Sequence, residues 1–223
     1  RLLNNVATLT PEGISLPGCT AGQLSGPRVN SILDYASFPD SLRNIDPGNS
    51  TMQADPGGQR TVLQAIQTVE QSEFGAFFMS RQGEARFLSR DNVSTLADAT
   101  VRNYSDIPGP TDLTYTNLDF AFDDQLILND VNVTRVGGTV QTSVDFPSID
   151  TYFRKSGQRT GILVQTDQES LDQANTLVAA RKDSQIRIDS MSLNLVSAAT
   201  EFETLVNVSM DIYTLINIEK SMS

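Results

Sequence analysis

An unbroken alternation near the C-terminus constrains the fold of this chain more than any other sequence feature. The alternating positions are Val206, Val208, Met210, Ile212, Thr214, Ile216 and Ile218. Successive side chains of a β-strand point to opposite faces, so a period of two predicts a strand with one buried face. The run is longer than a usual strand of ~5–6 residues. It is therefore expected to form a barrel wall, a strand that extends beyond its own domain, or two strands joined by a bend.

The first half of the chain combines helical and hairpin patterns. Behind Pro27, a helix of about two turns is predicted by apolar residues with i, i+3, i+4, i+7 spacing: Val29, Ile32, Leu33 and Ala36. A short strand at residues 50–54 lies between two turns, and a second helix is expected at about 61–73. Apolar arms at 76–79 and 85–88 around a polar turn predict a β-hairpin. Together these elements predict a compact α/β subdomain.

The second half begins with residues 91–116, which lose periodicity and carry the run Ile107-Pro108-Gly109-Pro110, and which we interpret as a linker. Alternation over 127–144, interrupted by Gly137-Gly138, predicts a second hairpin with a two-residue turn. Thr166 and Glu169 have capping-box spacing and predict the start of a helix. Two alternating runs of opposite phase then require a β-bulge near Asp189-Ser190.

The composition excludes several classes of function. The chain has no His, which rules out Ser-His-Asp and Cys-His triads and imidazole zinc sites. With 16 Lys and Arg against 27 Asp and Glu, its net charge of −11 argues against stable nucleic-acid binding. The single Cys19 cannot form an internal disulfide and is expected to be buried. No apolar run is long enough for a membrane segment, and because the chain starts at Arg1 we interpret it as a fragment of a longer one.

Carboxylates are the catalytic groups that remain. A glycosidase needs two of them on either side of a bond, and the candidate pairs are Asp123 with Asp124 and Glu201 with Glu203. Calcium ligands are a second possibility, with the candidate set Asp119, Asp123, Asp124 and Asp130, although the EF-hand spacing is absent. We interpret all of these as solvated surface acids. No catalytic, cofactor-binding or metal-binding residue is therefore assigned, and no cofactor is expected.

A series of segments resembles the minor tail proteins, or tail-tip hub proteins, of long-tailed siphovirus-type bacteriophages, especially those that infect actinobacteria. The segments occur in the same order over residues 27–182 and comprise Phe38-Pro39, residues 43–48, 63–66, 72–78, 83–90 and 128–135, Gly137-Gly138, Asp145, Ser148-Ile149 and Tyr152. The resemblance implies an α+β fold in which β-barrel-like hub domains carry an inserted helix-strand-helix-hairpin subdomain. It implies these domains: residues 1–26 as the end of a preceding β-rich domain, 27–100 as the α/β subdomain, and 101–223 as a β-rich hub domain with one or two helices.

The function implied by this resemblance is structural. Such proteins lie at the phage tail tip and assemble as rings around the tail axis, so a homo-oligomer is expected, with a trimer favoured. Tail tube, distal tail and tape measure proteins are the expected partners, and no catalytic residue is carried over. The acidity fits because a like-charged wall does not hold passing DNA. Two alternatives remain open: a sugar- or receptor-binding module of the virion, and a carboxylate-based cell-wall glycosidase.

Overall fold

A computed structural model of the protein describes residues 12–95, 102–107, 109, 112–123, 125–194 and 216–221. Helices and strands are mixed along the chain, which confirms the α+β class. The helices are α1 Ser25–Tyr35, α2 Val62–Glu73, α3 Arg90–Thr95, α4 Phe146–Tyr152 and α5 Asp167–Arg181, with a 3₁₀ turn at Asp40–Leu42. The strands are β1 Gln23–Leu24, β2 Arg43–Ile45, β3 Thr51–Met52, β4 Ala76–Met79, β5 Ala85–Leu88, β6 Arg102–Ser105, β7 Leu113–Thr114, β8 Asn117–Asp123, β9 Asp130–Arg135, β10 Gln141–Val144, β11 Ser156–Ile162, β12 Gln185–Ser192 and β13 Ile216–Glu219.

The chain divides into two compact units that interleave along the sequence. The first contains the described residues of Arg1–Thr95 and Ile127–Asp183, and the second those of Leu96–Leu126 and Ser184–Ser223. The first unit has sheets in the order β1-β3, β2-β5-β4 and β10-β9-β11, and the second has β12-β8 and β13-β6-β7. None of these sheets of described strands closes into a barrel. The units do not coincide with the boundaries expected at residues 26 and 100, which stay predictions about separately folding domains.

Helices α1 and α2 pack together over the larger core of the first unit. The expected stripe of α1 is buried at Val29, Ile32 and Leu33, and the helix is longer than predicted, running from Ser25 to Tyr35. Thr61 caps α2 in a full capping box with Gln64, which satisfies free N–H groups at the helix start. The predicted hairpin is confirmed as β4 and β5, paired from Ala76 with Leu88 to Met79 with Ala85.

A smaller core of the same unit lies between α5 and its neighbouring sheet. The Thr166 capping box is confirmed, and the buried cluster comprises Val131, Val133, Ile162, Val164, Ala174 and Val178. The second hairpin is confirmed as β9 and β10, but residues 136–140 form its loop and the expected two-residue turn at Gly137-Gly138 is wrong. After α4 the chain returns as β11, parallel to β9.

The second unit is built around an antiparallel pair, β8 with β12. Their register shifts between Ile188 and Ser190, which confirms the predicted bulge. A small core of Tyr104 and Leu113 lies under the other sheet, packed by Ile218 among others. The linker expected at residues 91–116 is wrong in part, since this segment contributes α3, β6 and β7.

The C-terminal alternation lies mostly outside the described residues. Within them, β13 pairs in parallel with β6 from Ile216 opposite Arg102 to Glu219 opposite Ser105. Ile218 is partly buried, whereas Ile216 is exposed. The expected burial of Ile216 is therefore wrong, because this side chain lies outside the small core and, among the described strands, β13 is at the edge of its sheet.

Candidate functional site

The acids singled out as catalytic or calcium-binding candidates are only partly visible. Asp124, Glu201 and Glu203 lie outside the described residues, as does the side chain of Asp123. Asp119 belongs to the second unit, where its Oδ2 accepts hydrogen bonds from Ser190 Oγ at 2.7 Å and Asn117 Nδ2 at 3.1 Å. Asp130 belongs to the first unit and accepts from Arg154 Nη1 at 2.6 Å. Its interpretation as a solvated surface acid is wrong, because the residue is buried and paired with that arginine. Both described carboxylates therefore hold neighbouring side chains of their own unit in place.

Neither a metal cluster nor a reactive thiol is visible in the described part of the chain. There, no group of three or more His, Cys, Asp or Glu side chains could hold a metal ion. Cys19 is buried as expected. Burial raises the pKa of its thiol to about 11, so the nucleophilic thiolate is scarce at neutral pH. The same described residues contain no helix with the length and apolar character needed to cross a membrane.

Buried charged groups join loops to helices. Glu73, fully buried at the end of α2, accepts hydrogen bonds from Ser25 Oγ at 2.9 Å, Ser50 N at 2.7 Å and Asn49 N at 3.0 Å. Arg28, also fully buried, donates to the carbonyl oxygens of Thr20 and Gln53 at 2.8 and 2.7 Å. Desolvation by burial lowers the pKa of Arg28. These contacts fix the loops before and after α1.

The connection between β10 and β11 is held by the same kind of network. The fully buried Asn129 donates through Nδ2 to Ser148 Oγ at 3.1 Å and to the Phe153 carbonyl at 2.8 Å. Its Oδ1 accepts from Lys155 N at 2.7 Å. One amide side chain thus fixes α4 and the residues that follow it.

Asp145 attaches the start of α4 to the end of α5. Its Oδ1 caps α4 by accepting from Ser148 N at 2.9 Å, and its Oδ2 lies 3.1 Å from Lys182 Nζ. The hydrogen bond from Ser148 N, followed by the one from Lys182, holds the pKa of Asp145 below its ordinary value. The same partner raises the pKa of Lys182.

This rigid connection presents two aromatic rings to solvent. Phe146, at the first position of α4, is 66 % exposed, and Phe153, directly after α4, is 81 % exposed. The backbone of Phe153 has φ 60° and ψ 170°, a region of the conformational map used almost only by glycine. Two exposed charged residues lie near these rings: Asp150 within α4 and Arg154 directly after Phe153. We call Phe146, Asp150, Phe153 and Arg154 the α4 surface.

The sequence analysis did not predict α4, although a local signal for it exists. Asp145 stands three residues before Ser148, and Pro147 lies in the first turn, as at many helix starts. The exposure of Phe153 and its positive φ have no such signal. The α4 surface could therefore be located from the sequence, but its strained aromatic residue could not be identified.

No protein-family model matches the chain, and no curated protein matches it. Among solved structures, the chain is similar to a tail protein from Neisseria meningitidis MC58, with a TM-score of 0.43 and 14 % sequence identity. The similarity covers 74 % of this chain and 50 % of that protein, so the chain spans about half of its length.

Proposed function

We propose that this protein is a structural subunit of a bacteriophage tail tip, a hub or minor tail protein that forms a ring around the tail axis. In this proposal the ring is a trimer that connects the tail tube to the tip, and the protein resides in the virion. The resemblance over residues 27–182 supports it, and the helix, strand, helix and hairpin of residues 27–90 on which part of that resemblance rests are present in the fold.

The strained and exposed Phe153 is the observation that supports contact with another protein chain. For a residue with a Cβ, this backbone conformation costs about 1–3 kcal/mol of free energy. The Phe153 side chain is 81 % exposed, so its burial within the chain offsets little of that cost. A glycine would suit the isolated subunit better. Contact between the Phe153 side chain and another protein chain explains why this aromatic residue is exposed, since aromatic residues are enriched at the centres of protein interfaces.

A second copy of this chain is the proposed occupant of the α4 surface. Ring contacts are head-to-tail, so the surface meets a different region of the neighbouring copy. The ribbon of β8 and β12 provides such a region, because Phe120 and Ile188 lie directly opposite each other in its ladder and both are exposed.

Solution mass tests this proposal. Light scattering at about 100 µM, a concentration at which contacts of micromolar Kd are saturated, is expected to give a trimer. Phe153→Gly and Phe120→Ser are each expected to give a monomer. Ile14→Ser changes a comparably exposed apolar residue outside both surfaces and should leave the trimer intact. A monomeric wild-type chain, or Phe variants that remain trimeric, would contradict the proposed ring.

A further inference from the structure

Strand β10 lies at the edge of its sheet, and its ladder shows which of its main-chain groups point away from the sheet. Among the described strands, β10 pairs with β9 alone. Asp145 N donates to Asn129 O at 2.9 Å, in the register that continues this ladder. Residues of an antiparallel pair alternate between bonding to the partner strand and pointing away from it. Asp145 is therefore a bonded position, and every second residue before it bonds to β9 as well.

This alternation divides the four residues of β10 into two pairs. Gln141 and Ser143 bond to β9, whereas the N–H and C=O groups of Thr142 and Val144 point to the outer side of the strand. The Thr142 hydroxyl donates to Asn132 Oδ1 at 2.6 Å, on the β9 side, and so does not cover these groups. We call the outward main-chain groups of Thr142 and Val144 the β10 edge.

The β10 edge lacks most of the features that keep edge strands of different molecules apart. Lysine, proline and β-bulges are the common ones, but β10 has the sequence Gln-Thr-Ser-Val and pairs with β9 without a register shift. Exposed apolar side chains flank it, with Val140 60 % and Phe146 66 % exposed. Because Phe146 belongs to the α4 surface, the β10 edge continues the surface that is proposed to contact another copy.

The ribbon of β8 and β12 supplies a strand of matching length. Its two strands pair only with each other among the described strands. The sequence of β8 has acids at Asp119 and Asp123, and charged residues discourage pairing at an edge. In β12 the ladder is regular over Gln185–Ile188, and the bulge follows directly. This four-residue segment is as long as β10, and its one charged residue, Arg187, is paired with Asp189 at 3.2 Å.

We propose that β10 of one copy pairs edge to edge with Gln185–Ile188 of β12 in a neighbouring copy. The pairing gives hydrogen-bond partners to the main-chain groups of Thr142 and Val144 and joins two sheets across the contact. The occupant is a second copy because the β10 edge is continuous with the α4 surface, and the ribbon that carries β12 is the region proposed to meet that surface. This inference rests on the proposed ring and adds the strands through which its copies bond.

Amide hydrogen exchange of the wild-type protein tests the pairing, because it reports on individual N–H groups. The N–H groups of Thr142 and Val144 are expected to exchange at least about tenfold more slowly at about 100 µM, where contacts of micromolar Kd are saturated, than at about 0.1 µM, where they are dissociated. Those of Gln141 and Ser143 should be protected equally at both concentrations. Within the ribbon, Gln185–Ile188 should gain protection at the higher concentration and β8 should not.

A matched pair of variants tests whether the outward N–H of Thr142 is needed. Thr142→Pro removes this N–H, which does not bond to β9, and edge strands tolerate proline at such positions. Thr142→Ala loses the same hydroxyl bond to Asn132 but keeps the N–H. Both variants are expected to unfold at similar urea concentrations. Light scattering at about 100 µM should give a monomer for Thr142→Pro and a trimer for Thr142→Ala.

The possible outcomes separate this pairing from the ring itself. A trimeric Thr142→Pro variant beside a trimeric wild-type protein would overturn the pairing and leave the ring intact. Loss of the trimer in Thr142→Ala as well would assign the contact to the side chain and would also overturn it. Exchange at Thr142 and Val144 that does not depend on concentration, or protection gained in β8 instead of β12, would do the same. A monomeric wild-type protein would contradict the ring and, with it, the pairing.

Discussion

At the scale of single residues, Phe153 is unfavourable for the stability of the isolated chain but is proposed to contact a partner. Phe153→Gly is expected to raise the free energy of unfolding of the isolated protein by about 1 kcal/mol. Relief of strain of ~1–3 kcal/mol outweighs the added flexibility of the unfolded chain, ~0.5–1 kcal/mol. Urea unfolding measures the change. Phe146→Gly is the control, because Phe146 is a helical residue with ordinary negative φ, and it should destabilise the chain.

Glu73, in contrast, is a buried charged residue that stabilises the fold itself. Glu73→Gln replaces an oxygen that accepts main-chain hydrogen bonds by an amide that cannot accept them. We expect the free energy of unfolding to fall by about 2 kcal/mol, the cost of leaving buried donors unpaired. Glu84→Gln, at a partly exposed position of the first hairpin, should change it by less than about 0.5 kcal/mol. Equal midpoints for the two variants in urea would show that the Glu73 contacts contribute nothing.

At the scale of elements, the start of α5 makes stability depend on pH. Hydrogen bonds from the Thr139 hydroxyl and then from Arg135 hold the pKa of Asp167 below its ordinary value. A carboxylate with a depressed folded-state pKa stabilises the fold above its unfolded value of about 3.9, and this contribution is lost as the pH falls through the folded value. The wild-type protein should therefore lose stability as the pH falls below about 4.

Asp167→Asn is expected to flatten that loss, because the amide cannot titrate. The measurement is the urea midpoint at pH 6 and at pH 3, and the difference between the two should be smaller in the variant than in the wild-type protein. Glu12→Gln removes an exposed carboxylate that lies outside the α4 surface and has no hydrogen bond from a described residue, and it should keep the full difference. An unchanged pH dependence in Asp167→Asn would mean that the bonds to the loop of residues 136–140 carry no stability.

The elements that sequence reasoning predicted are those with local signals. Capping boxes, apolar stripes and turn glycines act within a few residues, so α1, α5 and both hairpins were predictable. Strand β11 was not, because its sequence Ser-Gly-Gln-Arg-Thr-Gly-Ile is polar and its partner β9 is distant in sequence. The α4 surface was predictable only in part for the same reason. Asp145 and Pro147 give a local signal for the helix start, whereas the carbonyl of Phe153 is held by a hydrogen bond from Asn129, 24 residues away in the sequence.

At the scale of the whole molecule, the proposed structural role predicts that the protein does not hydrolyse cell-wall glycan. We expect purified cell wall to release no soluble sugar in its presence. Release that is abolished by Asp123→Asn or Glu203→Gln would instead support the glycosidase alternative and identify one of its two carboxylates. The loss of activity in only one variant would show which of the two candidate pairs is catalytic.

The net charge also predicts how binding to DNA depends on salt concentration. A protein that holds DNA through basic side chains binds more tightly as salt is lowered, because it releases counterions from the phosphates. A chain with net charge −11 is repelled by the same phosphates, and this repulsion grows as screening falls. Electrophoretic mobility should therefore show no retention of duplex DNA at about 0.15 M salt and none at about 0.02 M. Retention that strengthens at low salt would reveal a basic surface and would contradict an acidic wall past which DNA moves freely.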